Sequence, residues 1–128
     1  MQPIQLFALA SRQAEWLSVR QEVVATNIAN ANTPAFRAKD VTPFNAMLDE
    51  TQVRMVRTHA GHLAESQYSQ DISVDENDPS GEIGIQVSGN TVGLAEELSK
   101  TGEIKRQYEL GANLVKSFHG MMLMTVRR

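Results

Sequence analysis

His59 and His62, in Thr58-His59-Ala60-Gly61-His62, are the side chains of this 128-residue sequence whose type and spacing come nearest to a metal site. Imidazole is a good zinc ligand, but a zinc centre needs three or four donors at fixed spacing, and no third ligand accompanies this pair. Cysteine is absent, which removes thiolate ligands, thiol nucleophiles and disulfides together. The acidic run Asp71, Asp75, Glu76, Asp78 and Glu82, with Gly81 followed by Ile83, imitates the middle of a calcium-binding EF-hand loop. With Gly81 at the sixth loop position, the bidentate acid is required at 87, where Val87 stands, so the run reads as a solvated loop. Ser117 and His119 make a nucleophile and base only if any spacing is accepted. Gly81-Glu82-Ile83-Gly84 is too short to cradle a phosphate. Met121, Met122 and Met124 suit a pliable core or interface better than a cofactor pocket. No catalytic residue, cofactor, metal or small-molecule substrate is assigned.

The residues that do carry a message are amides. Asn27, Asn30 and Asn32 fall in Ala25-Thr26-Asn27-Ile28-Ala29-Asn30-Ala31-Asn32-Thr33-Pro34-Ala35-Phe36. Asn27 and Asn30 lie three apart, so on a helix they share a face and offer donors and acceptors to a neighbour. Asn32, Thr33 and Pro34 then end the helix, because proline disfavours the helical region for the residue before it and asparagine competes for its own backbone. The block points to assembly rather than catalysis.

Two long amphipathic elements flank the chain. Phe7, Ala10, Ala14, Leu17, Val24, Ile28 and Ala31 recur in steps of three and four, interrupted by Gln21. This predicts a helix over 3–31 with a coiled-coil-like seam. At about 1.5 Å per residue it is roughly 40 Å long, more than one small core can cover. A second seam runs through Leu94, Leu98, Thr101, Tyr108, Ala112, Val115, His119, Met122 and Val126, interrupted by Lys105. Gly93 is an acceptable N-cap for it, and Glu96 and Glu97 suit the positive end of its dipole. Gly102, Gly111 and Gly120 each cost about 1 kcal/mol relative to alanine, so packing must stabilise this helix. The predicted fold class is mostly α, with two long terminal helices paired as an antiparallel coiled-coil-like hairpin and an irregular middle.

The division that follows is 1–39, an N-terminal assembly helix with its Asn/Thr-Pro block; 40–90, an acidic middle; and 91–128, a C-terminal assembly helix. In the middle, 44–56 suits a short helix, and Ile83, Ile85 and Val87 alternate as a short strand would. Turn residues cluster at 77–81 and 88–90. Shortening 65–80 is expected to leave the helix pair intact, because loop-closure entropy changes slowly with length.

Hydrophobic residues make up 41% and charged residues 21% of the chain, which suits one small domain or helical module. Net charge is −3, spread unevenly. The two ends are mildly basic and the middle carries nine acidic against two basic groups. That is not the basic stripe of a nucleic-acid binder. No apolar run is long enough to span a membrane. Gln5, Ser11, Arg12, Gln13 and Glu15 interrupt what would be a signal peptide, so passage out of the cytoplasm is expected to use a route without signal cleavage.

The chain resembles the flagellar basal-body rod and hook family, of the small proximal-rod type. The likeness covers Leu6 to Phe44, through Arg20-Gln21-Glu22-Val23, Asn27 to Pro34 and Arg37-Ala38-Lys39-Asp40-Val41. It resumes from Gly89-Asn90-Thr91-Val92 through Glu96-Glu97 and Arg106-Gln107-Tyr108 to Phe118. Two positions depart from the family pattern. Ala35 replaces a usual glycine and should resist the positive φ of a type II turn, favouring an extended path or a type I turn. Gly93 replaces a usual aspartate, which costs a few tenths of a kcal/mol of capping.

The resemblance implies a structural subunit of the proximal rod in the basal body, within the periplasmic space. Its partners would be further copies of itself, other rod and basal-body proteins, and the flagellar type III export apparatus. The terminal helices would pair and pack into the tubular drive shaft that transmits torque. The residues expected at the assembly interface are Leu17, Val24, Asn27, Ile28, Asn30, Thr33, Phe36, Leu94, Leu98, Tyr108, Val115, Phe118 and Met122. Leu17, Val24 and Ile28 are expected to face Leu98, Tyr108 and Val115, and Glu15 and Lys100 to lie off the seam. Two other readings remain: a small cytoplasmic helical adaptor or export chaperone that binds a client helix through its Met-rich C-terminal face, and a metal-dependent regulator using His59 and His62.

Overall fold

The computed structural model describes residues 3–49, 72–76 and 86–126. Helix α1 spans Pro3–Ala29, strand β1 Lys39–Val41, helix α2 Phe44–Asp49, strand β2 Val74–Glu76 and helix α3 Leu94–Val126. Pro3 opens α1, where a missing N–H costs nothing. Glu97 N–H donates to the Gly93 carbonyl at 3.0 Å, so Gly93 is the N-cap of α3. Glu96 and Glu97 occupy its first turn.

The two long helices run antiparallel. Phe7 meets Phe118 edge-on with ring centroids 5.9 Å apart, and Asn27 reaches Glu97, so advancing along α1 means retreating along α3. A core sits toward the end of α1 and the start of α3, where Trp16, Leu17, Val24, Val41, Met47 and Ile104 are buried. Val19, Val23, Ile28, Phe44 and Ile72 pack around it. Fully burying a side chain of this size stabilises by about 1.5–3 kcal/mol, so these few residues dominate the hairpin's hold. Trp16 anchors the middle segment: its indole N–H donates to the Thr42 carbonyl at 2.8 Å, and its ring lies 5.8 Å from that of Phe44.

β1 and β2 form a two-stranded antiparallel sheet that pairs Lys39 with Glu76, Asp40 with Asp75 and Val41 with Val74. The sheet bears on two expectations. The described β pairing uses 39–41 and 74–76; of the alternating residues expected as a short strand, Ile83 and Ile85 lie outside the described residues, and Val87 is an exposed turn residue. β2 also falls inside 65–80, so only a deletion sparing 74–76 leaves the sheet paired. The predicted 44–56 helix is described over Phe44–Asp49, and its remainder lies outside the described residues.

Ala35 also departs from expectation. Its φ is +57°, and Phe36 N–H donates to the Thr33 carbonyl at 3.4 Å. With Pro34 at the second position and positive φ at the third, this is the type II pattern that alanine was expected to avoid. The conformation is held from outside, because Ala35 N–H donates to the Ser88 carbonyl at 3.0 Å. An L-residue in the left-handed region costs roughly 1–2 kcal/mol. Ala35→Gly is therefore expected to raise the unfolding free energy by about 1 kcal/mol, read as a higher urea midpoint at unchanged slope.

Candidate functional site

Asn27 and Asn30 of the Asn-rich block bond within the chain, while Asn32 is exposed. Asn27, fully buried, pairs its side-chain amide with the backbone of Lys39, as a neighbouring strand would. Its Nδ2 donates to the Lys39 carbonyl at 2.7 Å, and Lys39 N–H donates to its Oδ1 at 3.0 Å. Nδ2 also donates to Glu97 Oε2 at 3.1 Å. Asn30 donates to the Thr26 carbonyl and accepts from the Thr33 hydroxyl, a local helix-end arrangement. The expected amide face toward a neighbouring chain is therefore an internal clasp, made because three backbone and carboxylate partners lie within reach of a buried amide.

Asn90 completes the clasp. Fully buried, it donates Nδ2 toward the carbonyls of Asn30, Ala31 and Thr33 at 2.9, 3.0 and 2.8 Å, while its Oδ1 accepts Val92 N–H at 2.7 Å. These carbonyls belong to the turn that follows α1, and one side chain from the far end of the middle segment gathers them. Alongside, Thr91 N–H donates to the Phe36 carbonyl, and its hydroxyl accepts Ala38 N–H. The sequence signal for Asn90 was the Ser88-Gly89-Asn90 cluster, which reads only as a turn. Gly89 has φ +78°, and a Cβ there would meet the Ala35 backbone at 3.7 Å. Two left-handed residues thus stand against each other.

Beneath the clasp lies a charge cluster. Lys100 Nζ is 3.1 Å from Glu96 Oε1, 3.1 Å from Glu97 Oε1 and 3.3 Å from Asp40 Oδ2. Asp40 also faces Arg20 at 3.6 Å, and that guanidinium lies 5.2 Å over the Trp16 ring. Glu97 is only 2% exposed. Lys100 was expected off the seam; it lies instead among three carboxylates from α3 and β1. Burial by itself would lower its pKa, but the hydrogen bonds it donates to Glu97 and Glu96 and the charge of Asp40 prevail and raise it. A raised folded pKa stabilises fully below the ordinary lysine value near 10.5 and is lost as pH climbs through the folded value. Wild-type stability is thus expected to fall more steeply above about pH 10.5 than that of Lys100→Met, in paired denaturation curves across alkaline pH.

The seam of α3 that meets α1 is displaced from the expected one over its first half. Glu97 and Ile104 are buried and Gln107 half-buried, whereas Leu98 and Tyr108 are 57% exposed and Leu94 49%. Farther along, Val115, Phe118 and Met122 are half-buried. On α1, Leu17 and Val24 are buried and Ile28 half-buried; past its end Phe36 is half-buried and Thr33 exposed. Reading the seam one residue earlier replaces the intruding Lys105 with Ile104, and that intruder was the available signal.

Toward the free ends the helices leave an open groove. One recess of about 450 Å³ is lined by Phe7, Ala10, Ala14, Leu17, Tyr108, Gly111, Ala112, Val115, Lys116 and His119 among others, and a second of about 420 Å³ continues it past Thr101, Ile104 and Lys105. Ser117 is exposed, and at two residues' separation on a helix it points about 200° away from His119, so the two form no catalytic pair. His59 and His62, and most of the acidic run, lie outside the described residues. Among the described residues no helix is long and apolar enough to cross a membrane.

Among the described residues, a helical hairpin whose buried asparagines are satisfied within the chain while large apolar side chains stay exposed has the form of a structural module. Residues 9–37 match the family described as flagella basal body rod protein. The chain is 71% identical to flagellar basal body rod protein FlgB of Agrobacterium fabrum over 130 aligned positions, covering 100% of this chain and 97% of that protein. It is 33% identical to FlgB of Salmonella typhimurium, covering 80% of each, and 29% identical to FlgB of Bacillus subtilis, covering 71% and 69%. The chain belongs to the FlgB family of flagellar basal body rod proteins, and it is a structural subunit of that rod.

Proposed function

We propose that this subunit leaves the cytoplasm through the flagellar type III export apparatus without signal cleavage and joins the rod in the periplasmic space. There it packs against copies of itself and other rod proteins through the outer surfaces of α1 and α3, and torque passes through the packed helices. The proposal keeps 1–39 and 91–128 as the assembly segments and 40–90 as the segment between them. The observation that carries this reading is the mismatch between helix length and burial. α3 is 33 residues long, yet its only buried residues are Glu97 and Ile104, while Leu110, Leu114, Met121, Leu123 and Met124 are exposed. Apolar surface on that scale marks an interaction site. Within it, Leu94 and Leu98 are exposed, Tyr108 and Val115 line the groove, Phe118 packs on Phe7 beside the half-buried Met122 position, and Leu17, Val24, Asn27 and Ile28 hold the hairpin that presents them.

The test is location and processing. A tagged full-length chain expressed in a strain lacking the native gene is expected in purified basal bodies, with its N-terminal residues intact by mass spectrometry and swimming restored. Accumulation of the tagged chain in the cytoplasm of swimming cells would favour the adaptor reading and overturn this one.

A further inference from the structure

α3 carries a second apolar stripe. Leu110, Leu114, Ser117, Met121 and Met124 recur in steps of four and three, which places them within about 40° of one line at roughly 100° per residue. The four large side chains of this line are 71, 54, 56 and 78% exposed. The residues α3 contributes to the open groove run from Thr101 to His119 and centre about 160° away on the same helical wheel, with Gln107 and Gly111 on the side nearer the stripe. Ridge and groove are therefore on opposite sides of α3.

They also match each other. The groove follows α3 from Thr101 to His119, roughly 27 Å at about 1.5 Å per residue, and the stripe from Leu110 to Met124 is roughly 21 Å. Small residues, Ala10, Ala14, Gly111 and Ala112, alternate in the groove lining with Phe7, Leu17 and Val115, and a Cβ at Gly111 would meet nothing within 4 Å. Small residues let a third helix approach closely and seat its ridge between two others. The fixed charges lining the groove are basic, Lys105 and Lys116. The line of the stripe continues in seven-residue steps through Glu103, which accepts from Gln107, and Glu96, which shares Lys100, so each carboxylate keeps one oxygen for a further cation, with Arg106 the basic residue on the flank.

We infer that the α3 stripe of one copy seats in the α1–α3 groove of a second copy of this chain. The inference rests on the rod reading above and adds the polarity of the contact. Because donor and acceptor surfaces are different patches, the contact is heterologous. Such contacts repeat into rings or open helical filaments rather than closing as two-fold dimers.

The chain's lack of cysteine allows a direct test. Full-length protein carrying Ala14→Cys in the groove and Leu114→Cys on the stripe is expressed in the strain lacking the native gene, and isolated basal bodies are treated with a short bismaleimide. A ladder of dimers and larger species is expected from the double variant, and monomer from each single variant. Ala10→Cys with Leu110→Cys provides a second pair should the first fail to assemble. A dimer from Leu114→Cys alone, with nothing larger from the double variant, would mean that stripe meets stripe and would overturn the inference. Cross-links only to a different basal-body protein, or none from assembled chains of either pair, would overturn it while the rod reading stands. Absence of the unaltered tagged chain from basal bodies would remove the rod reading itself.

Discussion

Glu97→Ala is expected to lower the unfolding free energy by about 2–3 kcal/mol, because it removes a buried acceptor of Asn27 and one of the three carboxylates around Lys100. Lys100 would keep Glu96 and Asp40, but Asn27 would lose one of its three side-chain hydrogen bonds and the first turn of α3 one of its anchors. A natural domain is stable by only about 5–15 kcal/mol in all, so the loss is a large part of the total. Glu97→Gln, which keeps an acceptor for Asn27 without the charge, should fall between alanine and wild type. The measurement is urea unfolding of the purified chain. A Glu97→Ala midpoint indistinguishable from wild type would show that the clasp does not hold the hairpin together.

Val24→Asp is expected to be as damaging by another route. Val24 is 1% exposed between α1 and the start of α3, and a carboxylate there costs several kcal/mol or is forced to protonate. Both helicity and swimming should be lost. Val115→Asp makes the informative contrast, since Val115 is only half-buried at the groove and its replacement can face water. Swimming should fail while far-ultraviolet circular dichroism of the purified chain stays close to wild type. Normal swimming by Val115→Asp would exclude the groove from assembly, and a folded Val24→Asp chain would contradict the burial of that site.

The two long helices and the antiparallel hairpin were legible because their apolar steps persist over many turns, and Gly93 marked the start of α3. What the residues concealed depended on contacts across the chain. Three-residue strands leave too short a pattern to recognise, so β1 and β2 could be found only by their pairing. Glu97 reads as a solvated first-turn acid, and its burial requires Lys100 and Asn27 to arrive from two directions. Tyr108 and Leu98 are more apolar than Gln107 and Glu97, so hydrophobicity alone drew the α3 seam toward the exposed side. Ala35 was misjudged for a similar reason: its intrinsic preference is outweighed by the turn at Thr33-Pro34 and the Ser88 carbonyl, neither of which one residue's propensity contains.

The bonds that hold the end of α1 and the turn after it come from far along the chain. Asn27 and Glu97 are 70 positions apart, and Asn90 is 60 from the first carbonyl it meets. Contacts of such high order cannot reward loop closure until the intervening chain is present, and they form late in folding. A chain emerging N-terminus first has therefore released about three-quarters of its 128 residues before the clasp can close. Until then α1 is a lone amphipathic segment of the kind that is marginal in water. The topology itself thus ties completion of the hairpin to the arrival of the last quarter of the chain.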